Sequence, residues 1–205
     1  MEYQALITAF FTLFVIIDPI GLAPIFVALC RGMSPVQRRS VALRAVMIGA
    51  LLLTLFGFFG EAVLGFAGIS MPAFRIAGGI LLFLTALDML FERRTKRRKS
   101  QTSEDDDPSV FPLATPLIAG PGAIATMILL MDQAEGALET GMVLLMLAAV
   151  LVLVLVMALL APLLEKALGQ TGTNVVTRLL GMLLAALSVQ FIADGIIGFI
   201  PAVPG

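Results

Sequence analysis

The sequence predicts an all-α membrane protein of six transmembrane helices, arranged as two inverted three-helix repeats. Composition is the first reason. The chain of 205 residues is 60% hydrophobic and 13% charged, with mean hydropathy +1.06, whereas a soluble domain carries roughly 25% charged residues. Length is the second. Crossing about 30 Å of hydrocarbon takes about 20 apolar residues, and such stretches recur at about 5–29, 41–62, 72–91, 111–131, 141–164 and 175–200. Self-similarity is the third. Pro19 and Pro121 interrupt apolar stretches in the two halves, and Arg75-Ile-Ala-Gly78 matches Arg178-Leu-Leu-Gly181 at nearly the same separation. Halves with three spans each must run in opposite senses across the bilayer, an architecture shared by many secondary transporters.

The first stretch begins at Glu2 rather than at a basic region and is too long for a signal-peptide core, so a retained span is expected. It is broken at Asp18-Pro19-Ile20-Gly21. Proline lacks an N–H and clashes with the preceding turn, while glycine accepts dihedrals that other residues avoid, so one helix stops there and another restarts. The second and third stretches are uninterrupted and complete a first repeat, residues 1–91. Residues 92–110 follow as a charged linker, a basic run leading into an acidic one. It reads as a solvated connection rather than a nucleic-acid or lipid patch. The second repeat, 111–205, opens on a stretch broken at Gly120-Pro121-Gly122 and closes with two unbroken ones.

Charge orients the bundle. Every basic residue except Arg75 falls in or beside the connections between spans 1 and 2, 3 and 4, and 5 and 6. The positive-inside rule makes that side cytoplasmic and leaves both termini outside, in the cell inner membrane.

The residue inventory excludes several functions. There is no histidine and a single cysteine, Cys30. That rules out imidazole metal sites, histidine proton relays and an intrachain disulfide. No catalytic triad, GxSxG, P-loop or metal-ligand cluster occurs, so neither an enzyme nor a bound cofactor is expected.

The two breaks are the candidate site. Unwound backbone at membrane depth survives only inside protein or along a water-filled cavity. A restarted half-helix presents free N–H groups and a positive dipole end to an anion. Asp18, Pro19 and Gly21 in one break, and Gly120, Pro121, Gly122 and Ala123 in the other, are the candidate substrate contacts. Asp18 carries two compatible readings, a charge facing an ammonium group, a cation or a proton, and a structural cap for the second half-helix. Arg75 and Arg178 are candidate gates or counter-charges, with snorkelling to the headgroups as the plainer reading. Thr85, Thr115, Thr126, Ser188 and Gln190 offer polar contacts, although most such side chains bond back to their own helix.

These residues resemble the MarC family of multi-pass membrane proteins. The resemblance rests on Phe14 to Pro24 with its Asp-Pro-x-Gly core, and on Thr115-Pro-Leu-Ile-Ala-Gly-Pro-Gly-Ala-Ile-Ala-Thr126, and it spans essentially the whole chain. Many relatives carry Asn at the position of Asp18, which leaves the charge of that site open. The resemblance implies a relation to LysE-type amino-acid exporters and to transporters of small neutral amino acids. The expectation is therefore a secondary transporter of small neutral amino acids or similar metabolites, working by alternating access and coupled to protons or sodium. Its partners are a small-molecule substrate and the lipid bilayer, with no nucleic acid, and a homo-oligomer is compatible with the sequence. The alternatives are a channel-like pore and a non-transport membrane protein acting through the linker.

Overall fold

The computed structural model describes residues 3–30, 32–91 and 107–199, all of whose regular structure is helical. Five helices are long and apolar enough to cross a membrane, and six spans result when one bent pair is counted as a single crossing. Most of the linker expected at 92–110 lies outside the described residues.

α1 (Tyr3–Ile17) and α2 (Pro19–Leu29) make the first span, jointed at Asp18. The joint keeps its helical bonds, since the Asp18 N–H donates to the Phe14 carbonyl (2.9 Å) and the Leu22 N–H to that of Asp18 (3.0 Å). α3 (Pro35–Phe66) begins earlier than the apolar stretch because Ser34 and Gln37 form a reciprocal capping box, with Pro35 preset for the first turn. At 32 residues it is roughly 48 Å long, longer than the hydrocarbon is thick, and its polar first turns extend beyond the apolar zone. It stops at Gly68 (φ 70), where the N–H groups of Gly68 and Ile69 donate to the carbonyls of Gly65 and Leu64. That left-handed close needs a residue without a Cβ. Ser70 then caps α4 (Met71–Leu90) by accepting from the Ala73 N–H.

The fourth span is α5 (Ser109–Ile118) and α6 (Pro121–Asp132), bent by 55°. α5 is a wide, irregular helix. Phe111 and Thr115 each precede a proline, which disfavours the helical region, and both adopt extended dihedrals. The last helical stretch, Ala137–Ile197, breaks at Gly169 (φ 60, ψ 178) into α7 (Ala137–Leu163) and α8 (Thr171–Ile197).

Small residues set the packing. α4 and α8 run antiparallel, with Gly79 against the Ser188 carbonyl and Ile192, Gly181 against Ala86 and Met89, and Gly195 against Pro72 and Ile76. α3 runs parallel to the fourth span, with Gly49 on Ile118, Gly57 on Met127 and Met131, and Gly60 on Ile128. α1 and α2 lie against the Ala137–Ile197 stretch, and the end of α2 faces the last turns of α7. Buried runs flank the two joints, Val15 to Pro19 and Leu117 to Ala119, and continue in α6 from Ala125 to Leu129, while Met47, Leu51, Phe58, Phe59 and Leu145 face outward. An apolar exterior around a core that holds the irregular backbone is the pattern a bilayer demands.

Candidate functional site

The first joint turns on one residue. Asp18 takes left-handed dihedrals (φ 54, ψ 66), alone among the described non-glycine residues. Aspartate is one of the few side chains that tolerate this region, because its short carboxylate bonds locally. Here Oδ1 accepts from the Gly21 N–H at 2.9 Å, and the side chain caps α2 while 1% exposed. A Cβ at Gly21 would collide with that carboxylate, so cap and glycine require each other. Pro19 is buried as the first residue of α2.

The second joint has the same outline without the carboxylate. Gly120 (φ −80, ψ 165) is the N-cap of α6 and contributes no side-chain bond, and Pro121 follows as the first helical residue. The Ile124 N–H donates to the Gly120 carbonyl (2.9 Å). The N–H groups of Gly122 and Ala123, both buried, precede the first intrahelical bond and are the orphan donors of this end.

The two joints meet. A Cβ on Gly122 would stand 2.8 Å from Leu82 Cδ2, 3.6 Å from Ile16 Cγ2 and 3.8 Å from Thr85 Oγ1. Ile16 lies two residues before Asp18, so the first turn of α6 abuts the end of α1 and the middle of α4. The start of α6 presents amide donors at a positive helix end, with Leu82 against them and the buried Asp18 carboxylate on the neighbouring joint.

Of the polar side chains singled out in the spans, three bond to the backbone of their own helix. Thr85 donates to the Leu81 carbonyl, Thr115 to that of Val110, and Ser188 to that of Ala185. Gln190 donates to Asp194 (2.7 Å). Thr126 differs: it is fully buried and its hydroxyl has no hydrogen-bond partner. One turn past Gly122, it shares the face of α6 that looks into the joint.

Arg75 has a partner that the sequence did not suggest. Its Nη2 lies 3.3 Å from Asp132 Oδ2, at the far end of α6, so the counter-charge is Asp132 and not Asp18. Both residues fall on the expected outer side, which was the available clue. Arg178 is exposed near the start of α8, apart from the joints. Among the described residues no cluster of three or more metal-ligating side chains forms.

Comparison with known proteins agrees with this architecture. The profile of the MarC family integral membrane protein matches residues 3–200. A UPF0056 membrane protein of Methanocaldococcus jannaschii is 39% identical over 94% of this chain and 86% of its own length. The Escherichia coli UPF0056 membrane protein YhcE is 34% identical, covering 94% and 92%. Its Bacillus subtilis counterpart YvbG is 32% identical, covering 98% of each chain. No solved structure matches the chain. The protein is thus a multi-pass integral membrane protein that belongs to the MarC family.

Proposed function

We propose that this chain is an inner-membrane secondary transporter of small neutral amino acids or similar small metabolites. One observation carries the reading: two jointed spans, one from each half, touch where Ile16 approaches Gly122. In this mechanism the substrate carboxylate meets the N–H groups of Gly122 and Ala123, and its ammonium group sits near Asp18. Rocking of one half against the other then exposes the site alternately, driven by a proton or sodium gradient and without catalysis or a bound cofactor.

The packing supports inverted halves. α3 lies along the jointed span of the second half, α2 of the first half lies beside the end of α7, and the two third spans, α4 and α8, pair antiparallel. A two-fold axis in the membrane plane exchanges both relationships. In this reading residues 1–91 and 111–205 are the two repeats, the charged linker is cytoplasmic, and both termini are outside. Arg75 and Arg178 then mark opposite faces of the membrane.

The experiment is uptake of labelled alanine, glycine and serine into proteoliposomes under separate proton and sodium gradients. Saturable, gradient-dependent uptake that cold substrate blocks is expected. Flux that never saturates would replace the transporter by a pore. No uptake by folded protein would remove the amino-acid assignment.

A further inference from the structure

A second feature lies away from the joints, where the end of α2 and the start of α3 face the last turns of α7. They enclose a cavity of about 210 Å³. Phe26, Ala158, Leu159 and Pro162 supply apolar lining, and Arg38 and Arg39 supply charge. The Arg38 Nε donates to the Met33 carbonyl at 3.2 Å, which fixes the guanidinium and leaves its two terminal nitrogens for a ligand. Among the described residues neither arginine has a carboxylate partner.

The cavity is not imposed by the architecture. In the proposed repeat its counterpart is the seam between α6 and α3, and that seam is filled. There Gly57 lies close to Met131 and Met127, a Cβ on it standing 3.2 Å and 3.4 Å from their side-chain carbons, and Gly60 packs on Ile128. The end expected to face the cytoplasm keeps an opening, and that is where the arginines stand.

Two guanidinium groups beside an apolar wall match an amphiphile with an anionic head. A soluble anion would engage the arginines and leave the exposed Leu159 and Pro162 uncovered. A phospholipid sets its phosphate against Arg38 and Arg39 and its first acyl carbons against the wall. The volume suits a phosphoglycerol head and the top of one chain, and the rest of the lipid continues along the exposed Leu160 and Leu163 of α7. We infer that this cavity is a binding site for an anionic phospholipid of the cytoplasmic leaflet.

The test is native mass spectrometry of the full chain with phosphatidylglycerol or phosphatidylcholine of identical acyl chains. Retention of phosphatidylglycerol over phosphatidylcholine by roughly tenfold or more is expected for two arginine contacts. The double variant Arg38→Gln/Arg39→Gln should lose that preference. Because those charges also help set topology, Ala158→Phe serves as the second variant: it fills the cavity, keeps both arginines, and should lose the lipid as well. Equal retention of the two lipids, or unchanged retention by Ala158→Phe, would overturn the site. Displacement of phosphatidylglycerol by inorganic phosphate alone at equal concentration would assign the cavity to a soluble anion and overturn the lipid reading.

Discussion

Arg75, in the second turn of α4, and Asp132, the last residue of α6, form an ion pair 3.3 Å long, with side chains 27% and 22% exposed. The pair ties the start of the third span to the far end of the jointed fourth span. Because the second half of that jointed span carries the candidate site at its other end, the pair fixes where α6 ends while leaving its first turn free of charge partners. Partial exposure limits its worth to about 1 kcal/mol or less. A double-mutant cycle of Arg75→Gln and Asp132→Asn should return a coupling of that size in detergent melts. If the two lie on a moving contact, either variant should also change the transport rate more than the melting temperature. Equal loss of both would make the pair purely structural.

Asp18 combines a left-handed backbone with a cap on Gly21, so its substitutions separate structure from charge. Asp18→Ala removes the cap, about 1 kcal/mol, and puts an ordinary Cβ in the left-handed region for a further 1–2 kcal/mol, roughly. Asp18→Asn keeps an acceptor for the Gly21 N–H and tolerates the same dihedrals. If the substrate's ammonium group requires the charge, the Asn variant melts like the parent but loses transport in proteoliposomes. An Asn variant that transports normally would reduce Asp18 to its capping role.

How far the sequence could carry this reading is visible at particular residues. The two joints were readable because proline and glycine act locally, through a missing N–H and a missing Cβ, wherever the chain goes. The spans were readable because the bilayer fixes their length. Local caps shifted the ends, as at Ser34 and Gln37, which start α3 well before its apolar stretch. The connection between the fifth and sixth stretches stays nearly helical, with only Gly169 breaking it, because its polar residues are compatible with helix once flanked by two long spans. The Arg75–Asp132 pair and the cavity at Arg38 were out of reach. Both depend on which spans are neighbours, and no local pattern encodes that.

Glycine substitutions test the packing directly. A Cβ on Gly79 would stand 2.8 Å from the Ser188 carbonyl oxygen, a backbone atom that no rotamer change can move. Gly79→Ala should therefore force α4 and α8 apart and destabilise by about 1–3 kcal/mol. Gly141, on α7, has open space where its Cβ would be, so Gly141→Ala should be neutral or stabilise by up to about 1 kcal/mol. Melting both variants in the same detergent checks the contrast. Equal effects would mean that α4 and α8 are not in glycine-mediated contact.

Asp107, just before α5, accepts from the Ser109 hydroxyl at 2.7 Å and the Ser109 N–H at 2.9 Å, and its other oxygen lies 3.3 Å from Arg44. The Ser109 hydroxyl chiefly, then its N–H and less so Arg44, hold the Asp107 carboxyl below its ordinary value. A carboxylate whose folded pKa is lowered adds stability above its unfolded pKa, near 3.9, and loses it as pH falls through the folded value. Ser109→Ala should therefore melt below the parent by a constant gap from about pH 5 to 8, and the gap should shrink under more acid conditions as both proteins protonate Asp107. Arg44→Gln should show a smaller gap that salt weakens, because that pair is well exposed. A Ser109→Ala gap that persists undiminished at acid pH would mean that the serine stabilises α5 through something other than the Asp107 charge.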